Sequence, residues 1–249
     1  MMVIMKIWLL KLLIFFGDIM NSFLDSNVII GYIFCLDSLF EVSREFIFKS
    51  ENNYFSDNVK MEVEKVFIRK CDVFNRFLFD LFYEIEKYDD FKFLTMQELY
   101  YPINYLTNVE KLKIEDMHVI FDKIWKSFDF GESQEVFLIK LKFKKFINDF
   151  EGNHRLRKGI IFNNMKLVPN HSKKDKVVLD KIKNEHLRKA LLHESDENIL
   201  FDANEFACRN PNLDLKFVSA DEDFLKAIDI LMQYLCIDET INLKEFSNN

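Results

Sequence analysis

The segment 20–31 constrains the fold most, because its apolar residues surround one acidic residue and two small polar ones. It reads Met-Asn-Ser-Phe-Leu-Asp-Ser-Asn-Val-Ile-Ile-Gly, so Asp25 follows one apolar run and precedes another. A short apolar run with polar boundaries is typical of a buried strand in a parallel sheet. Such sheets build their sites at the carboxyl ends of their strands. The segment therefore predicts a first strand that delivers a carboxylate to a position suited to binding a cation.

A single carboxylate cannot hold Mg²⁺, which takes several oxygen ligands, but the sequence has acids near other predicted element ends. Glu62 follows the short predicted strand Tyr54-Phe55, Asp196 begins a predicted helix, and Asp221 and Asp223 follow a predicted strand at 215–218. Carboxylates that are brought together repel one another unless a cation lies between them. The pattern therefore favours a divalent-metal site.

The order of these segments resembles that of the PIN-domain nucleases. The matching features are a strand ending in Asp-Ser-Asn, a Ser-x-x-Val-x-x-Glu helix start at Ser56, an Asp-led helix at Asp196 and a closing Val-Ser-x-Asp-x-Asp-Phe from Val218. The resemblance covers roughly the first third and the last quarter of the chain, and no single motif is specific by itself. It implies an α/β fold of three layers, α/β/α, with a short, mostly parallel central sheet. Toxin-type members of the family usually have only a short helical pair between the second and third acids. More than a hundred residues separate Glu62 from Asp196 here, so the chain departs from that pattern by a large helical insertion.

The resemblance assigns roles to particular residues. The catalytic acids that it implies are Asp25, Glu62, Asp196 and Asp221. The metal ligands that it implies are Asp25, Asp196, Asp221 and Asp223, for Mg²⁺ or Mn²⁺. The residues that would orient the phosphate or a water are Ser26, Asn27 and Ser219.

Two of these assignments have alternatives within the sequence. Glu64 competes with Glu62, which stands at the family's offset of six residues from Ser56, and a Glu in a first helical turn is ordinarily a solvated residue. Asp202 competes with Asp196, since an Asp that begins a helix is most often a cap. We expect Asp202 to face away from the apolar stripe of its helix.

Composition predicts a helix-rich protein. The chain has 28 Phe but only five Gly and three Pro, which leaves few residues for tight turns. We expect a single PIN-like domain over 20–249 in which 68–190 is a helical insertion. Pro102 is expected to interrupt the helical pattern, and Gly131 to separate two helices.

Positive charge is concentrated in the segment 151–190, where Lys and Arg outnumber Asp and Glu by seven, although the whole chain has a net charge of −7. The segment contains Gly152, Gly159 and Pro169, and we expect it to include a surface loop. It is a weak candidate for contact with RNA phosphates. The residues proposed for that contact are Arg155, Arg157, Lys158, Lys173 and Lys174.

The first 19 residues form an apolar extension that the resemblance does not require, and Met20 is an alternative start of the protein. Their apolar run of 14 residues is shorter than the roughly 20 that span a bilayer, so no membrane partner is expected. The four Cys are far apart and form no C-x-x-C pair. They are interpreted as free buried thiols, and the expected location is cytoplasmic.

The residues themselves indicate a divalent cation and, weakly, a polyanion. The resemblance implies a divalent-metal-dependent endoribonuclease that hydrolyses phosphodiester bonds in single-stranded RNA. The resemblance suggests a homodimer and an antitoxin-like protein as partners. One alternative is a catalytically silent PIN-like module that binds RNA or regulates. The other is a metal-dependent phosphatase, which would act on p-nitrophenyl phosphate but not on RNA.

Overall fold

A computed structural model describes residues 20–109, 114–172 and 193–246. The chain divides into two compact units. The sheet unit comprises 20–32, 39–63, 161–172 and 193–246 among the described residues. The helical unit comprises 33–38 and the described part of 64–160.

A five-stranded parallel sheet organises the sheet unit, as the sequence predicted. Its strands are β1 (Asn21–Leu24), β2 (Asn52–Ser56), β5 (Lys166–Val168), β6 (Leu215–Ser219) and β7 (Glu239–Asn242), in the spatial order β5-β2-β1-β6-β7. Strand β1 lies in the centre and all four of its residues are buried, the polar Asn21 and Ser22 as well as the apolar Phe23 and Leu24. Phe23 pairs with Tyr54 of β2 on one side and with Phe217 of β6 on the other.

The strand order reverses between β1 and β6. From β1 the chain proceeds to β2 and β5 on one side, and it then returns to the other side of β1 to form β6 and β7. In open α/β sheets a crevice forms at such a reversal, outside the carboxyl ends of the two strands. The carboxyl ends of β1 and β6 are therefore where the topology places a site.

Helices complete the sheet unit. They are α1 (Ser26–Ile33), α2 (Phe40–Lys49), the start of α3 (Asp57–Glu86), the end of α6 (Val136–Asn164), α7 (Glu194–Arg209), α8 (Glu222–Leu231), a 3₁₀ turn (Met232–Tyr234) and α9 (Leu243–Phe246). Gly31 allows α1 to approach the residues around α2, because a Cβ at this position would lie 2.5 Å from Ser43 Oγ and 2.8 Å from Leu39 Cβ. Only glycine fits such a close approach.

The helical unit contains the rest of α3 and α6, together with α4 (Met96–Val109), α5 (Ile114–Ser127) and a two-stranded antiparallel sheet of β3 (Phe93–Thr95) and β4 (Ser133–Glu135). Phenylalanines fill its core. The Phe121 ring packs against Phe77 and Phe143 at centroid distances of 5.7 and 5.8 Å. The abundance of Phe therefore serves helix packing.

The middle of the chain differs from the expectations at Pro102 and in the extent of the helical unit. Pro102 lies inside α4, and burial of the Leu99, Ile103 and Leu106 side chains stabilises this helix. Helix α6 continues through Gly152 and Gly159, so the basic segment is helical as far as Asn164. Strand β5 hydrogen-bonds to β2, so the helical unit ends at Ile160 rather than at 190.

The cysteines also differ from the expectation. Cys208 and Cys236 form a disulfide across a sequence separation of 28, so the interpretation of all four as free thiols was wrong. Cys71 is free and buried, and Cys35 is free and half-buried.

No helix in the described ranges is both long and apolar enough to cross a membrane. Residues 1–19, Lys173 and Lys174 lie outside the described residues, as does most of the loop expected after Pro169.

Candidate active site

Asp25 lies at the carboxyl end of β1, as predicted, and its carboxylate is buried with 4% of the residue exposed. The Ser26 backbone N–H donates to Oδ1 at 2.6 Å. Asn27 Nδ2 and the Ser219 hydroxyl each donate to Oδ2, both at 2.7 Å. Three donors therefore hold this carboxylate in one orientation.

The same hydrogen bonds connect the ends of β1 and β6. Ser219 Oγ also accepts from Asn27 Nδ2 and from the Asp221 backbone N–H, each at 3.0 Å. Asn27 Oδ1 accepts from the Ala220 N–H at 3.0 Å. Asn27 and Ser219, which the sequence assigned to substrate or water, therefore bind Asp25, and the Ser26 backbone does the same.

The environment of Asp25 disfavours its charged form. Burial raises the pKa of the carboxyl from 3.8 to about 7, and the bonds from Ser219 and Ser26 oppose that rise. The negative charges of Glu62 and Asp196 also contribute to the raised pKa. Like charges near a buried carboxylate are costly unless a cation offsets them.

Glu62 and Asp196 are thus the two acids that act on Asp25 from other elements. Glu62 is half-buried in the second turn of α3, beyond the buried Val59. Asp196 is half-buried in the first turn of α7, where burial and the charge of Asp221 raise its pKa. Glu64, the alternative to Glu62, belongs to the helical unit and pairs there with Lys158.

Asp221 and Asp223 occupy the start of α8 with different roles from those expected. The Asp221 side chain caps the helix by accepting from the N–H groups of Asp223 and Phe224, which is a common use of Asp at this position. The Asp223 side chain is 96% exposed and lies 3.4 Å from Lys226 Nζ. Of the predicted metal ligands, Asp223 therefore has the least support from its position in the structure.

The acids do not form a closed ligand set. In the described part of the chain, no group of three or more His, Cys, Asp or Glu side chains is arranged to hold a metal ion. The donor chemistry nevertheless fits Mg²⁺ or Mn²⁺, since Asp25, Glu62 and Asp196 all offer carboxylate oxygens. Burial and the charges of Glu62 and Asp196 raise the pKa of Asp25, and a cation bound beside it would favour the ionised form.

A second buried aspartate, Asp202, has a role that the sequence did not predict. It is fully buried in α7 rather than facing away from the core, because this helix is buried on more than one side. His171 donates to Asp202 Oδ1 from its backbone N–H at 2.7 Å, and its Nδ1 lies 2.6 Å from the same oxygen. Asn58 Nδ2 donates to Oδ2 at 2.8 Å. No spacing in the sequence indicated that His171 and Asp202 would meet.

Those of the residues proposed for contact with RNA that the structure describes have partners within the protein. Arg155 pairs with Glu151 one turn earlier in α6, and Lys158 pairs with Glu64. Arg157 is half-buried in the same helix. These contacts give the described part of the basic segment a structural use that does not depend on RNA.

Comparisons with family models, with curated proteins and with solved structures found no match to this chain. The likeness to PIN-domain nucleases therefore depends on the order of the sequence motifs and on the parallel sheet alone.

Proposed function

We propose that this protein is a divalent-metal-dependent endoribonuclease with a PIN-like, three-layer α/β/α sheet unit. The observation that carries the proposal is the position of Asp25. Its buried carboxylate lies at the end of β1, beside the reversal of strand order, and is fixed there by Ser219 at the end of β6. This is the place where open α/β sheets bind ligands.

The electrostatics of the site support a cation as the ligand. Asp25 has two acidic neighbours, Glu62 and Asp196, that oppose its ionisation, and Asp196 has a third acid, Asp221, beside it. Asp25, Glu62 and Asp196 would hold Mg²⁺ or Mn²⁺. When bound, the ion would activate a water for in-line attack on a phosphodiester and stabilise the leaving oxygen.

The protein's own groups would prepare the site for that ion. Ser219 and Asn27 keep the Asp25 carboxylate in one orientation through charge-assisted hydrogen bonds, so little entropy is lost when a ligand binds. Asp221 fixes the start of α8 next to Ser219. Ser219 and Asn27 therefore position the Asp25 carboxylate, whereas Asp25, Glu62 and Asp196 would contact the ion.

The test is cleavage of end-labelled single-stranded RNA with Mg²⁺, with Mn²⁺ and with EDTA. Cleavage should require the metal, and Asp25→Asn should slow it by at least about a hundredfold, since even outer residues of metal sites contribute about 10–100-fold. A DNA strand of the same sequence tests the choice of nucleic acid, and p-nitrophenyl phosphate tests the phosphatase alternative. Cleavage that persists in EDTA, or equal cleavage by Asp25→Asn, would overturn the proposal.

A second candidate is a catalytically silent RNA-binding or regulatory module. The observation that favours it is the lack, among the described residues, of a closed group of three metal ligands. A silent module predicts RNA binding without cleavage, and binding that Asp25→Asn leaves unchanged. The nuclease proposal predicts cleavage that this variant loses.

Location and partners belong to the same proposal. We propose RNA as substrate, and a homodimer or an antitoxin-like protein as protein partners of a cytoplasmic enzyme. The Cys208–Cys236 disulfide provides a test of this location, since reducing compartments seldom keep such bonds; an intact bond in the cell would overturn the cytoplasmic assignment. Thiol titration of protein taken directly from the cell, with and without denaturant, would show whether the bond exists there.

A further inference from the structure

The helical unit contains a cavity of about 400 Å³ that the proposed nuclease chemistry does not use. All of its lining residues belong to this unit. Most of them are apolar: Phe34, Phe74, Phe150, Met117 and Ile120 form much of the wall. The volume lies within the range of small-molecule sites, which are mainly apolar with a few polar groups.

The charged groups of the cavity sum to one positive charge. Asp37 and Lys70, which both line it, form an ion pair. Lys70 Nζ also lies 5.4 Å from the centroid of the Phe34 ring. Arg69 lines the cavity from α3 and is exposed, and no carboxylate in the described ranges pairs with it. Among the described residues, Arg69 is thus the charged group of the cavity that has no ion-pair partner.

We propose that this cavity binds a small organic anion with an apolar body, such as a medium-chain carboxylate, whose acidic group contacts the Arg69 guanidinium. The apolar wall would bury the body of the ligand, at a gain of about 0.8 kcal/mol per methylene. The guanidinium offers several donors to a carboxylate in a fixed geometry. A nucleotide fits less well, because Ser38 is the one uncharged polar residue of the lining and a base would lose its hydrogen bonds to water.

The test is isothermal titration calorimetry of the full chain with octanoate, hexanoate, 1-octanol and AMP. Octanoate should bind one to one, and hexanoate should bind more than tenfold more weakly because it lacks two methylenes. Octanol should bind about tenfold more weakly than octanoate, because it has no charge for Arg69. AMP should bind least.

Three variants locate the site. Arg69→Gln should weaken octanoate about tenfold and leave octanol unchanged, whereas Lys65→Gln, an equal charge change at an exposed position one turn earlier in α3, should alter neither. Val119→Trp, at a lining residue that is 53% exposed, should block both ligands without unfolding the protein, as circular dichroism would verify. The proposal is overturned if octanoate does not bind, if Arg69→Gln binds it as the wild type does, if Val119→Trp still binds, or if AMP binds more tightly than octanoate.

Discussion

Two aspartates of the sheet unit, Asp25 and Asp202, are both buried, but the ionisable groups around them differ. Asp25 is 4% exposed and Asp202 is fully buried. Each accepts three hydrogen bonds, at least one of them from a backbone N–H. They differ in the ionisable groups nearby: Asp202 has His171 beside it, whereas Asp25 has Glu62 and Asp196.

This difference shows that burial alone does not mark a functional carboxylate. A buried acid beside a histidine has a partner that can share a proton or carry a positive charge, so its network is complete without a ligand. The ionised form of a buried acid beside other acids is destabilised, and a bound cation would remove that destabilisation. We therefore regard Asp202 as structural and Asp25 as the functional residue.

The largest expected effect concerns the pH dependence of stability. The Asp25 carboxyl keeps its proton in the folded protein up to about pH 7 but loses it near pH 4 when unfolded. Between these values the unfolded state binds fewer protons, so the free energy of unfolding falls as pH rises. This should remove on the order of 4 kcal/mol between pH 4 and 8, and Asp25→Asn should lose that slope.

The measurement is urea unfolding of both proteins in EDTA from pH 4 to 8, analysed as their difference. The difference is needed because His154, whose pKa burial lowers to about 4, acts in the opposite direction. The folded protein leaves this imidazole neutral where the unfolded chain protonates it, so its contribution to stability rises from pH 4 to about 6.5. Parallel profiles for wild type and variant would show that Asp25 ionises normally.

The next effect is the loss of the Asp202 network. His171→Ala removes a hydrogen bond to a buried carboxylate and should lower the free energy of unfolding by about 2–3 kcal/mol. Its effect on RNA cleavage at a temperature where the variant is folded should be less than about threefold. His193→Ala is the matched control for stability alone, since His193 is exposed at the N-cap of α7 and its side chain makes no capping bond, but it lies beside Asp196. A His171→Ala variant that is stable but inactive would reverse the roles given to the two aspartates.

The smallest effect is expected at Asp223. Its side chain is almost fully exposed and 3.4 Å from Lys226, and surface ion pairs contribute about 0–1 kcal/mol. Asp223→Asn should therefore change the unfolding free energy by less than about 0.5 kcal/mol and leave the cleavage rate within about twofold. A large loss of cleavage would instead restore the role of metal ligand that the sequence assigned to this residue.

The sequence predicted those parts of the fold that local pattern determines. The apolar runs around Phe23, Tyr54 and Phe217 form the three central strands of the sheet. Strand β5 was not predicted, because three residues within a basic segment carry no periodicity. The strands β3 and β4 are equally short.

The site could be predicted only in part. Asp25 was found because a strand end is visible in the apolar pattern, but its bonds to Asn27 and Ser219 join residues up to 194 positions apart. The meeting of His171 with Asp202 and the Cys208–Cys236 bond are long-range in the same way. Such contacts are set by topology, and no spacing along the chain specifies them.

The most direct test of the account is the binding of Mn²⁺ measured by electron paramagnetic resonance at pH 8. The signal of free Mn²⁺ falls when the ion binds, so titration gives the number of sites and their affinity. We predict one site per chain in the wild-type protein, its loss in Asp25→Asn and its retention in Asp223→Asn. Equal binding of Mn²⁺ by the wild type and Asp25→Asn would contradict the account.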